Sequence, residues 1–190
     1  MLDQLRRYHP VNEQEEYDLN LMIRFLEDHE DAYLRTNLAA HVTASAIVVN
    51  PAMDQVLFAH HNIYDSFGWV GGHNDGDQDG LSVAIKEAKE ETGIEDIRPV
   101  TKDILGVDVI HVTNHIKHGV YVPDHLHLNV TYLLVASDTE TPQANPREHS
   151  DVRWFSFEDA LAVITEDRMR PVYEKLFARV RTYHTNKRSS

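Results

Sequence analysis

At 190 residues, 42% apolar and 26% charged, the chain has the size and composition of one globular domain with a sizeable core. Its formal charge of -13 argues against a nucleic-acid duplex as partner, since a phosphate backbone calls for a basic face. The lack of cysteine excludes disulfide scaffolds, thiolate metal sites and cysteine nucleophiles. Without an apolar leader after Met1 or an apolar run of about 18 residues, the chain reads as cytoplasmic, with no membrane partner.

Residues 1–38 read as a helical extension ahead of a main domain, 39–190. Asn12 and Glu15 have capping-box spacing, and Leu19, Met22, Ile23 and Leu26, with Phe25 at their edge, recur as one apolar helix face. That face could pack on the domain or against a second copy, which leaves a homodimer open; nothing in it suggests catalysis. From His41 the pattern turns to strands. Val42 to Val49 is β-branched and small, Asn50-Pro51 breaks it, and Gln55 to His60 returns as the partner of a hairpin. Tyr64 to Val70 leads into glycines, and its Phe67 and Trp69 suit core or lid packing or, alternatively, stacking on a base.

The stretch from Gly71 to Ile94 carries the densest signal. It opens too rich in glycine and acid to be a strand. Gly71, Gly72, Gly76 and Gly80 permit the close backbone approach that phosphate-handling loops need, and Asp75, Asp77 and Asp79 add anionic oxygens. From about Leu81 a helix runs to Thr92, where Gly93 tolerates a left-handed turn. Leu81, Ala84, Ile85, Ala88 and Thr92 form its core stripe, and Glu87, Glu90 and Glu91 share an arc of about 100° beside it. Like charges so spaced near a helix C-terminus cost about 0.2–0.5 kcal/mol per pair. A hard cation with oxygen ligands offsets that repulsion. The plainer alternative is a solvated face with an ordinary Lys86–Glu90 pair.

These residues resemble the signature of the Nudix hydrolases, G-x5-E-x7-R-E-U-x-E-E-x-G-U, where U is a bulky aliphatic. Registered on Gly72, the chain matches at Glu87, Glu90, Glu91, Gly93 and Ile94 without insertion or deletion. Gln78 stands where the loop glutamate belongs, Lys86 replaces arginine and Ala88 replaces the aliphatic; Asp77 is a candidate substitute for the missing acid. The resemblance implies an α/β fold of the Nudix type, an α/β/α sandwich with a mixed sheet, over about His41 to Leu161. The N-terminal helices and the last helix would be additions to it. The implied activity is divalent-metal-dependent hydrolysis of a pyrophosphate bond in a nucleoside diphosphate linked to another moiety. Glu87, Glu90 and Glu91 would then be the ligands of Mg²⁺ or Mn²⁺ and catalytic acids. Gly71, Gly72, His73 and Asp77 would meet a small phosphorylated substrate, and Lys86 would orient a neighbouring carboxylate. The rival reading, favoured by Gln78 alone, is a non-catalytic nucleotide sensor on the same fold. A prenyl-diphosphate isomerase of this family would want a cysteine.

Beyond the box, Ile104 to Val112 reads as a strand and Asn114 to Pro123 as a loop. His125 to Leu134 alternates, with Leu126, Leu128, Val130 and Tyr132 on one face and His125, His127, Asn129 and Thr131 on the other. The polar face suggests a cleft lining, where His125 and His127 would contact substrate. His-x-His could also bind a transition metal, but no third ligand stands at suitable spacing. Thr141 to Ser150 is a proline-containing loop before a short strand, Asp151 to Phe155. Within that loop, Glu148 resembles an acid that serves some family members as a further ligand or general base. Two helices close the chain, the first capped by Ser156 with Asp159. The second has Pro171 in its first turn and Tyr173, Leu176, Phe177 and Val180 as its stripe, and Lys187 to Ser190 form a frayed tail.

Overall fold

The computed structural model describes residues 1–117 and 119–188. Helices α1 (Leu2–Arg7) and α2 (Glu13–Asp28) precede strands β1 (Ala40–Val49), β2 (Gln55–His61), β3 (Ser66–Gly68) and β4 (Val70–His73). Helix α3 (Gly80–Thr92) follows, then β5 (Arg98–Val112), β6 (His115–Lys117), β7 (Val120–Val122), β8 (His125–Val135) and β9 (His149–Ser156). The chain ends with α4 (Phe157–Val163), a 3-10 turn (Asp167–Met169) and α5 (Arg170–Arg188).

Seven strands form one mixed sheet with the path β3-β2-β1-β8-β5. Its axis is β1, which runs parallel to β8 from Ala40 beside Leu126 to Val49 beside Val135. The same strand pairs antiparallel with β4 near its start and with β2 near its end, while β9 pairs with β2. Alternation sorts the side chains into two cores. Val42, Ala44 and Ala46 of β1, with Leu128, Val130 and Tyr132 of β8, pack with Val83, Ala84 and Ala88 of α3 and with Leu5, Leu19 and Met22 of the N-terminal helices. Ile47, Val49, Phe58 and Leu133 pack with Phe157 and Ala160 of α4 and with Tyr173, Leu176, Phe177 and Val180 of α5. The expected sandwich is present, a mixed sheet between helices with a helical segment ahead of it.

Several local expectations change. Helix α5 is core rather than an addition, because its whole predicted stripe is buried. Gly71 and Gly72 lie in strand β4, opposite Ser45 and Ala44. A glycine-poor strand would not fit there, since a Cβ on Gly71 would stand 2.6 Å from Ala44 O and Ser45 Cα. Strand β5 begins at Arg98 rather than Ile104, and its register shifts between those points obscured its first half. The loop expected from Asn114 contains the β6–β7 hairpin. Lys187 and Arg188 belong to α5; Ser189, Ser190 and His118 lie outside the described residues. Phe67 and Trp69 pack edge-on against Phe155 and Tyr173.

Candidate active site

Helix α3 is set by its ends. Asp79 caps it, accepting from Ser82 N–H at 3.3 Å, and Gly93 closes it at φ 68°. The core face is rotated from the expected stripe: Val83 and Glu91 are buried, whereas Leu81 and Ile85 are half-buried. The box acids therefore descend into the protein. Glu90 is 55% exposed, Glu87 16% and Glu91 2%. Glu87 lies across β4, where a Cβ on Gly72 would stand 2.5 Å from its carboxyl carbon. Glycine at 72 is thus what lets the acid reach the sheet.

Glu91 enters a polar chamber short of donors. Its Oε1 accepts the Gly71 N–H at 3.2 Å. Its Oε2 lies 3.4 Å from His149 Nε2 but has no hydrogen-bond partner among the described residues. His149 Nε2 is 3.0 Å from His61 Nδ1, and His61 Nε2 is 3.3 Å from Trp69 O. Burial, with His61 and His60 beside it, brings His149 down to about 3, so it is neutral and forms no ion pair with Glu91. Burial raises Glu91 well above the ordinary carboxylate range; the Gly71 N–H opposes this, and Glu87, Glu148 and Glu90 add to it. Burial also raises Glu87, against the pull of Lys86.

Apart from the histidines, the other expected polar residues fall into three groups. Lys86 lies 3.3 Å from Glu87 and 3.9 Å from Glu90, so it serves both acids rather than one. Exposed Glu148 bears on Glu87 and Glu91 through its charge, and its loop is tied to the helix end by Asn145 N–H donating to Glu91 O at 3.3 Å. The loop acids are engaged locally: Asp75 with Arg35 at 2.7 and 2.6 Å, Asp77 with the Asp79 N–H at 2.8 Å, and Asp79 at the helix cap.

The histidines form a second cluster. His73, His125 and His127 gather with His41, which the sequence did not single out. Further along the same face the polar residues of β8 are buried rather than lining an open cleft. Asn129 accepts from Thr43 at 3.0 Å and Ser45 at 2.8 Å and donates to Thr131 at 3.1 Å. Burial and the neighbouring imidazoles bring His127 down to about 2. His61 and His149, also missed, come together across 88 positions. Two surface clefts, of about 360 and 390 Å³, lie by Met53 and Phe157 and by Tyr8 and Lys102, away from the box.

Glu87, Glu90 and Glu91 fit a divalent cation: hard oxygen donors on one edge, two held above their ordinary range, one with a buried oxygen lacking a donor. Comparison with known proteins places the chain in a family. The family model for the NUDIX domain matches residues 39–180. No curated protein sequence matches. Among solved structures, a C. elegans Ap4A hydrolase aligns with TM-score 0.54 and 19% identity over 72% of this chain and 95% of its own. An E. coli dihydroneopterin triphosphate pyrophosphohydrolase aligns with TM-score 0.53 and 16% identity over 70% and 92%. A Nudix hydrolase from M. smegmatis, RenU, aligns with TM-score 0.51 and 15% identity over 77% and 86%. At these identities the structures speak to the fold.

Proposed function

The chain belongs to the NUDIX family, and from that premise we propose that it is a divalent-metal-dependent hydrolase that cleaves a pyrophosphate bond in a nucleoside diphosphate linked to another moiety. Glu87, Glu90 and Glu91 hold Mg²⁺ or Mn²⁺. Such an ion, when bound, neutralises phosphate charge and lowers the pKa of water. The observation that carries the reading is Glu91, a buried carboxylate with one oxygen left without a donor. The Gly71 N–H aims that carboxylate; Gly72 leaves the space Glu87 needs; Lys86 restrains Glu87 and Glu90. Glu148, exposed on the neighbouring loop, or a box glutamate takes the proton. Residues 39–190 form the catalytic domain and 1–38 its helical extension. A cytoplasmic pool of small phosphorylated metabolites suits the substrate class; among the described residues no helix is long and apolar enough to cross a membrane.

The test is a screen with product detection. Nucleotide sugars, ADP-ribose, dinucleotide polyphosphates such as Ap4A, dihydroneopterin triphosphate and nucleoside triphosphates are incubated with Mg²⁺ or Mn²⁺, with and without chelator. Cleavage that needs the ion and is lost in Glu90→Gln is the expected result. Binding of a nucleotide without any turnover would favour the sensor reading instead.

A further inference from the structure

The four histidines lie on the sheet face away from α3. Strand pairing puts them there: His41 of β1 neighbours His127 of β8, and His73 of β4 sits opposite Thr43, one step along the same face. His125 is two residues before His127 and shares its side of the strand. The ring centroids of His41 lie 5.1, 4.9 and 5.2 Å from those of His73, His125 and His127, and His73 is 4.9 Å from His127. One ring nitrogen from each of His41, His73 and His127 falls within 4.8 Å of the others.

The outer hydrogen bonds present the inner nitrogens. His41 Nδ1 donates to Asn37 O at 3.0 Å, which leaves Nε2 as its lone-pair atom; that Nε2 is buried and has no hydrogen-bond partner among the described residues. His125 Nδ1 donates to Pro123 O at 2.8 Å, and its Nε2 lies 3.2 Å from His127 Nε2. The backbone carbonyl behind each of these two rings is the arrangement that fixes the tautomer of a ligating imidazole. Two nitrogens bound at about 2.0–2.1 Å to one tetrahedral ion stand about 3.3 Å apart, close to the His125–His127 separation. A set of imidazoles alone suits Zn²⁺ and its transition-metal neighbours and is poor for Mg²⁺.

We infer that His41, His73 and His127, with His125 beside them, bind one Zn²⁺ at a site separate from the box glutamates. The ion joins β1, β4 and β8. His73 directly follows Gly72, and β4 also carries the Gly71 N–H that holds Glu91. Zinc thus clamps the strand beneath the box helix from the opposite face. The inference does not depend on which reaction the glutamates perform.

The test is calorimetric titration of the metal-free full chain with Zn²⁺ in excess Mg²⁺, which engages the carboxylates. Wild type and Glu87→Gln/Glu90→Gln each bind one equivalent. His41→Gln/His127→Gln binds more than about 100-fold more weakly, beyond what losing an outer partner costs. Zinc binding that follows the glutamates, or no saturable binding to wild type, overturns the assignment. Ring ¹⁵N resonances of wild type give a readout independent of how the variants fold. One equivalent of Zn²⁺ shifts His41, His73, His125 and His127 and spares His61 and His149; the reverse pattern refutes the site.

Discussion

Among the described residues two glutamates lie almost fully buried, Glu15 at 0% exposure and Glu91 at 2%, and their surroundings differ in kind. Glu15 joins α2 to α5 and β5. It meets Lys175 at 3.0 Å and Arg179 at 3.1 Å and accepts from Tyr8 at 2.7 Å and the Val11 N–H at 3.0 Å. Burial alone would raise it, but Lys175, the Val11 N–H and Tyr8 together bring it below its ordinary value. Glu91 has one backbone N–H, a neutral histidine and three nearby acids, and burial wins. The same residue type is therefore a completed structural joint in one place and an acid short of positive partners in the other. Burial by itself does not distinguish the two; the count of positive partners does.

Substitution of each glutamate breaks the comparison in opposite directions. Glu91→Gln should reduce kcat/KM by about 10³-fold, roughly 4 kcal/mol of transition-state stabilisation, with metal-free unfolding unchanged or shifted upward. Glu15→Gln should do the reverse. It leaves Lys175 and Arg179 without their shared anion and should lower unfolding stability by about 3–5 kcal/mol in urea titration, with kcat retained well below the new midpoint. Gly72→Ala forces a methyl group against the Glu87 carboxyl carbon, so half-maximal activity should need about 10-fold more Mg²⁺. His149→Asn, which removes the ring beside Glu91 and its hydrogen bond to His61, should raise that requirement less than Gly72→Ala does.

The two acids also give opposite pH signatures. Without metal, folded Glu91 holds its proton above the ordinary value of 4.5. Its favourable contribution is full below that value and is lost as pH rises from it through the folded pKa, at about 1.4 kcal/mol per pH unit. Glu15 titrates below 4.5 when folded, so its contribution is present above that value and lost as pH falls through the folded pKa. Stability of Glu91→Gln relative to wild type, measured by urea unfolding, should grow with pH in chelator and cease to grow in saturating Mg²⁺.

What could be read from the residues was what neighbouring positions encode. The box helix, its glycine stop, the β1–β2 hairpin and the stripe of α5 all follow from spacings within one element. What could not be read depends on distant partners. Gly71 and Gly72 have poor strand propensity, yet they lie in a strand because β1 pairs with them; β1 excludes anything larger at 71, and Glu87 does so at 72. Glu15 looked like part of a cap, since its neutralising Lys175 and Arg179 arrive from the far end of the chain. The histidines that gather with His-x-His came from other strands. A signal for them was present: His41, Thr43 and Ser45 alternate as His127, Asn129 and Thr131 do, and two such polar faces pair in register.

The most direct measurement is the thermal midpoint of wild type and Glu91→Gln, each in chelator and then in saturating Mg²⁺, an ion that imidazoles bind poorly. If the box edge is a cation site, Mg²⁺ raises the midpoint of wild type and leaves that of Glu91→Gln nearly unmoved. An equal rise in both, or none in wild type, would contradict it.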